Sequence, residues 1–153
     1  HDFLIDVFNE YHTKNPDSKL LLVGTGPLEE KIKDKVEKLN LSDSVLFLGQ
    51  REDTNKLYSA MDVFCLPSLY EGLPVVGVEA QAAGLLCIFS DKITPDVIIS
   101  NQNSIIRSLN IIEWKNYILQ KFKNGQIREF VLLEKNYSIK NNITYIEKYY
   151  NDK

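Results

Sequence analysis

The stretch Pro67-Ser68-Leu69-Tyr70-Glu71-Gly72-Leu73-Pro74-Val75-Val76-Gly77-Val78-Glu79-Ala80 reads as a strand-to-helix junction with an acid on either side. The apolar run Val63–Leu66 leads into it, and Gly72 and Pro74 supply the turn. Proline is tolerated at the first helical position, where its missing N–H would have had no partner. A helix is therefore expected from Pro74 to Ala83, ended by Gly84. Its start directs unpaired backbone N–H groups and the positive end of the helix dipole above the sheet. Such a place suits an anion, most naturally a phosphate. Glu71 lies just before the turn, and Glu79 is expected about two turns into the helix. Carboxylates do not bind phosphate, but they accept hydrogen bonds from hydroxyls attached to it, such as a sugar on one side and a ribose on the other.

Outward from this junction, short β-rich runs alternate with longer helical patterns. Strands are expected at Lys19–Val23, Ser44–Leu48, Val63–Leu66, Leu86–Phe89 and Ser104–Arg107. All are nearly continuous apolar runs, of the kind buried on both faces of a parallel sheet. Phe3, Leu4, Val7, Phe8 and Tyr11 form one helical stripe, and Leu28, Ile32, Val36 and Leu39 a second. Asp53 or Thr54 caps a short helix through Met61. The alternation implies right-handed crossovers and an α/β, Rossmann-like, doubly wound parallel sheet. The tail differs: Ile111–Asn124, Gln126–Glu134 and Ser138–Tyr150 read as successive helices with no strand between them. Residues 1–110 are thus expected to form the core, and residues 111–153 helices that pack on the same single domain.

The 153 residues are enough for one buried core. A net charge of -3, with Lys and Arg spread among Asp and Glu, gives no basic surface for nucleic acid. Cys65 and Cys87 each sit in an apolar run and read as buried, reduced thiols. His1 and His12 have no ligand-type companions, so no metal site is expected; no cofactor is expected either. No apolar run reaches the length of a membrane span. Trp114, Tyr117, Phe122 and Phe130, and Tyr145, Tyr149 and Tyr150, recur at helical spacing and read as core rather than as a sugar-stacking platform.

The Glu71-x7-Glu79 pattern resembles the E-x7-E motif of GT-B glycosyltransferases, in particular the large retaining family 4, also called glycosyl transferases group 1. Leu21-Leu22-Val23-Gly24-Thr25-Gly26-Pro27-Leu28 resembles that family's glycine loop. Val45-Leu46-Phe47-Leu48-Gly49 resembles the strand leading to its base-binding loop, and Leu57–Ser68 the run leading into the motif. The resemblance extends from Phe3 to about Asp96. It implies the C-terminal, nucleotide-sugar-binding half of a GT-B fold.

The resemblance gives Glu71 the donor sugar hydroxyls and Glu79 the ribose hydroxyls, with Gly72, Leu73 and Val75 offering backbone N–H groups to the sugar or distal phosphate. The competing reading is an exposed turn residue and an exposed helix residue. Gly24 and Gly26 border the nucleotide pocket in the family, whereas a G-x-G alone is equally a tight turn; a dinucleotide fingerprint would need a third glycine where Glu29 stands. The loop Gly49-Gln50-Arg51 is placed to hold the nucleobase, mostly through main-chain groups, with Arg51 stacking on the base or lying on the surface. Asp53, Tyr58 and Asp62 read as capping and packing residues of the short helix. Ser90–Asp96 lacks the glycines many relatives carry, and Leu86 replaces a common proline. Those departures resemble a bacterial capsule and exopolysaccharide branch.

The chain begins inside a helix, so the sheet's first strand is expected to be missing, together with an Arg and Lys that follow it in the family and an acceptor-binding N-terminal domain. The implied protein is a hexosyl- or N-acetylhexosaminyltransferase with a nucleotide-sugar donor, a uridine diphosphate sugar favoured, and a saccharide or lipid-linked saccharide acceptor. Transfer proceeds with retention and without metal, in the cytoplasm or peripherally at the inner face of the membrane, and the fragment alone is inactive. Two other readings stand beside it: a nucleotide-sugar-binding module without catalysis, and an epimerase of the same fold.

Overall fold

The computed structural model describes residues 1–99 and 103–123. Helices and strands alternate as α1 (Asp2–His12), β1 (Leu20–Leu22), α2 (Glu29–Lys38), β2 (Val45–Phe47), α3 (Thr54–Ala60), β3 (Val63–Leu66), α4 (Val75–Ala82), β4 (Leu86–Ser90), β5 (Ser104–Arg107) and α5 (Ile111–Lys123). A 3₁₀ turn, Pro95–Val97, lies between β4 and β5. The expected helices Gln126–Glu134 and Ser138–Tyr150, with Phe130 and the C-terminal tyrosines, fall outside the described residues.

All strand pairings are parallel, but the sheet is in two parts. β1 pairs with β2, and β4 lies between β3 and β5. Among the described residues no backbone hydrogen bond joins β1 to β3. A cavity of about 770 Å³ fills the space between them, walled by Leu20–Val23 and Val63–Leu66 and by Leu4, Val7 and Phe8 of α1.

Only β4 is buried along its whole length, which corrects the expectation for the other strands. Its side chains alternate, with Cys87 and Phe89 packing toward α4 and Ile88 toward α1 and α5. β2 and β5 are sheet edges, and Leu46 of β2 is 42% exposed. A third cluster joins Leu4, Ile5 and Phe8 of α1 to Ile32 and Val36 of α2 and to Leu22 and Val45. Leu28 lies just before α2 and is exposed, so the second apolar stripe is carried by Ile32 and Val36. Trp114 of α5 is fully buried, edge-on to Phe3, and its indole N–H donates to the Ser108 carbonyl.

Both cysteines are free; Cys87 is buried and Cys65 half-buried. Burial pushes the Cys65 thiol up to about 12 and raises that of Cys87 as well.

Candidate functional site

β3 ends at Leu66 and α4 begins at Val75, so residues 67–74 form a loop at the carboxyl end of the strand. Glu71 is half-buried there, and the Ser68 hydroxyl donates to its Oε1 at 2.8 Å. Glu79 is exposed on α4, and the Tyr58 hydroxyl, from α3, donates to its Oε2 at 3.0 Å. The same hydroxyl lies 3.5 Å from the Val76 carbonyl. Each acid is thus held by a hydroxyl, Glu71 by one from its own loop and Glu79 by one from α3. Burial first, and then the adjacent Glu79 carboxylate, holds the Tyr58 phenol well above the ordinary tyrosine range, so it remains a donor.

Two local placements differ from the expected ones. Pro74 is the residue before the helix, with φ -74° and an extended ψ of 103°, and Val75 is the first helical residue. Glu79 is therefore fifth in α4, roughly 6 Å along the axis from its start, just over one turn rather than two. Hydrogen bonds from Gly84 N–H to the Gln81 carbonyl and from Leu85 N–H to the Ala80 carbonyl close the other end of the helix.

The start of α4 is bare. No side chain caps it, and its first turn carries no acid. The N–H groups of Gly72, Leu73 and Val75 make no hydrogen bond within the described residues. α2 is the opposite case: it begins Glu29-Glu30, both paired to Lys33 at 2.9 Å. A helix end already faced by two carboxylates is a poor anion site, whereas the α4 end keeps its partial positive charge available. Apolar side chains surround that end, with Leu69, Tyr70, Leu73, Val75 and Val76 all exposed.

The glycine loop and the base-loop candidate meet. Gly24 N–H donates to the Gly49 carbonyl at 2.7 Å, one step beyond the last β1–β2 ladder bonds. Both residues have positive φ, 111° and 61°, which glycine adopts at little cost. The two loops lie at the carboxyl edge of their strands, where open α/β sheets bind ligands. Gly26 and Gln50 are exposed beside them. Arg51 forks onto Asp53, Nε to Oδ1 at 2.8 Å and Nη2 to Oδ2 at 2.9 Å. That pairing raises the guanidinium and lowers the carboxyl. Asp53 stands at the start of α3, yet its side chain is spent on Arg51 rather than on the helix cap.

The cavity between the sheets reaches Ser68, Tyr58 and Val76. The two residues that hold the acids therefore line one space, although its walls include neither Glu71 nor Glu79. Among the described residues no group of three or more His, Cys, Asp or Glu side chains is arranged for a metal ion. No described helix is long and apolar enough to cross a membrane.

Three polar residues escaped the sequence reading. Ser68 had a local signal, a Ser-x-x-Glu spacing before an apolar run, the pattern of a capping box. Tyr58 packs as expected, but nothing local ties its hydroxyl to a glutamate 21 positions away. Gln81, fully buried, donates to the Gly77 and Val97 carbonyls and accepts from Ile99 N–H and the Ser104 hydroxyl, which locks α4 to the segment after β4.

The chain is similar in sequence and in fold to known proteins. EpsF of Bacillus subtilis (strain 168), a protein assigned to the glycosyltransferases, is 47% identical over 97 residues, covering 63% of this chain and 25% of EpsF. The Escherichia coli UDP-Gal:alpha-D-GlcNAc-diphosphoundecaprenol alpha-1,3-galactosyltransferase is 38% identical over 100 residues, 64% of this chain and 26% of the enzyme. The matched part thus spans about a quarter of the length of these relatives. The crystal structure of TarM superposes with a TM-score of 0.79 at 25% identity, over 98% of this chain and 31% of TarM. Residues 1–146 match the family model described as glycosyl transferases group 1, and the chain belongs to that family.

Proposed function

We propose that this chain is the nucleotide-sugar-binding domain of a glycosyltransferase. The observation that carries the reading is the bare start of α4 between two acids, each held by a neighbouring hydroxyl. A diphosphate rests on the N–H groups of Gly72, Leu73 and Val75. Glu71 accepts hydrogen bonds from the sugar hydroxyls and Glu79 from those of the ribose, while the paired loops at Gly24, Gly26, Gly49, Gln50 and Arg51 border the nucleoside. Gripping both rings fixes the anomeric carbon toward an acceptor, which is catalysis by positioning. Negative charge grows on the leaving diphosphate, and fixed N–H dipoles aimed at it favour the transition state over the ground state. The helix end supplies on the order of 1 kcal/mol, so other cationic groups must carry most of that stabilisation.

The galactosyltransferase relative, named for a UDP-Gal donor and a diphosphoundecaprenol-linked acceptor, supports a uridine diphosphate sugar as donor here, with a hexosyl or N-acetylhexosaminyl group passing to a polysaccharide or lipid-linked precursor. In the whole protein the transfer retains anomeric configuration, needs no metal, uses an acceptor domain N-terminal to this one, and takes place on the cytoplasmic side of the membrane. The test is a thermal shift with uridine and guanosine diphosphate. One of them should raise Tm, and Glu79→Ala should remove the effect. No shift with either at millimolar concentration would overturn the assignment.

A further inference from the structure

We propose that Tyr58 is a positioning residue for donor binding, its phenol O–H fixing the Glu79 carboxylate in the orientation that receives the ribose hydroxyls. The inference rests on the role assigned to Glu79 above and adds a residue that does not itself touch the ligand. Its basis is an asymmetry across one hydrogen bond. Tyr58 is 7% exposed and packs in the cluster with Ala80, Leu85 and Phe89, its ring edge-on to Phe64 at 6.2 Å. Glu79 is exposed on the outer surface of α4. Left alone, a surface glutamate samples many rotamers, and every ligand contact must pay for ordering it. A donor locked in the core and 3.0 Å from Oε2 removes much of that freedom before the ligand arrives.

The bond also sets which atom faces outward. Tyr58 occupies Oε2, and Oε1 accepts no hydrogen bond among the described residues. A carboxylate has about four lone-pair sites, so Oε1 and the remaining site on Oε2 stay open to two vicinal hydroxyls. The Val76 carbonyl, 3.5 Å from the phenol oxygen, lies in the first turn of α4, so the same side chain ties Glu79 to the helix end that receives the diphosphate. The phenol keeps its proton at neutral pH, because burial and the carboxylate both oppose ionisation.

A purely structural Tyr58 predicts something different. Its partner is exposed and can be rehydrated, so removing the hydroxyl alone should cost little stability. Calorimetric titration of the chain with uridine or guanosine diphosphate, whichever binds, and with its 2′,3′-dideoxy analogue separates the cases. Tyr58→Phe should weaken the ribonucleotide about three- to tenfold and leave the dideoxy analogue unchanged. Glu79→Gln should erase the preference for the ribonucleotide, and Tyr58→Phe added to Glu79→Gln should change nothing more. The preference is a ratio within each variant, so a change in Tm does not confound it. If Glu79→Gln erases the ratio and Tyr58→Phe leaves it intact, the inference is wrong and the role of Glu79 stands. Should Glu79→Gln leave the ratio intact, or neither nucleotide bind, both fall together.

Discussion

Gly77 of α4 rests directly on the ring of Phe89 in β4: a Cβ on residue 77 would stand 2.8 Å from Phe89 Cε1 and 3.0 Å from Val97 Cγ2. Both neighbours are fully buried. The missing side chain lets α4 sit close to the sheet, and that closeness sets the height of Glu79 and of the helix start above it. Gly77→Ala gains about 1 kcal/mol of helix propensity and costs about 1–3 kcal/mol of overpacking, so a net loss of up to about 2 kcal/mol is expected in urea denaturation. A stabilised variant would show that the ring can yield. Gly72→Ala is the contrast, with no atom within 4 Å of the added carbon. Its stability should stay within about 0.5 kcal/mol, while nucleoside diphosphate binding weakens as the methyl enters the space of the ligand.

Gln81 should behave as a buried clasp. Leucine in its place leaves Ile99 N–H and the Ser104 hydroxyl without the acceptor they now use. The expected loss is about 2–4 kcal/mol, measured by chemical denaturation. A change below about 0.5 kcal/mol would contradict the clasp.

Alkaline pH should destabilise the fold. Burial lifts the Cys65 thiol from an ordinary 9.0 to about 12 and raises Cys87 in the same sense. An acid whose folded value lies above its unfolded one stabilises fully below the unfolded value and loses that contribution as pH climbs toward the folded one. The window is therefore about pH 9 to 12. At pH 10 the loss is about 1 kcal/mol per thiol, visible as a lower urea midpoint than at pH 8. Cys87→Ala, itself destabilising, should show a shallower fall between the two pH values.

Arg51 is a weaker lever on stability. Its fork onto Asp53 is exposed, and exposed pairs contribute little. Arg51→Ala should keep the denaturation midpoint close to wild type. A larger drop would mean that the 51–53 loop, rather than the ladder beside it, anchors this corner.

What could be read from the sequence was what periodicity and local turns encode. Val63–Leu66 and Ser104–Arg107 are strands as expected, because short β-branched and apolar runs between turn residues have few other uses. The meeting of Gly24 with Gly49 follows from parallel pairing of the strands before them. The depth of burial was harder to read: Leu46 looks like a core residue in sequence but belongs to an edge strand. Leu28 fits the α2 stripe by spacing but lies before the helix starts. Pairings across tertiary space, Tyr58 with Glu79 and Gln81 with Ile99, leave no periodic trace, since each joins elements whose docking depends on everything else.

The open seam between β1 and β3 also has a mechanical consequence. Among the described residues no ladder crosses it, so the β1–β2 and β3–β5 halves are coupled by packing, chiefly through α1, which sends Leu4, Ile5 and Phe8 into one cluster and Val7 into another, and through Cys65 of β3, which packs against both. Amide exchange should divide along that line, with β4 amides outlasting those of β1 as two separately opening foldons. Val7→Ala should then hasten exchange in the β4 half while leaving the β1–β2 rates nearly untouched, making α1 the axle on which the two plates turn.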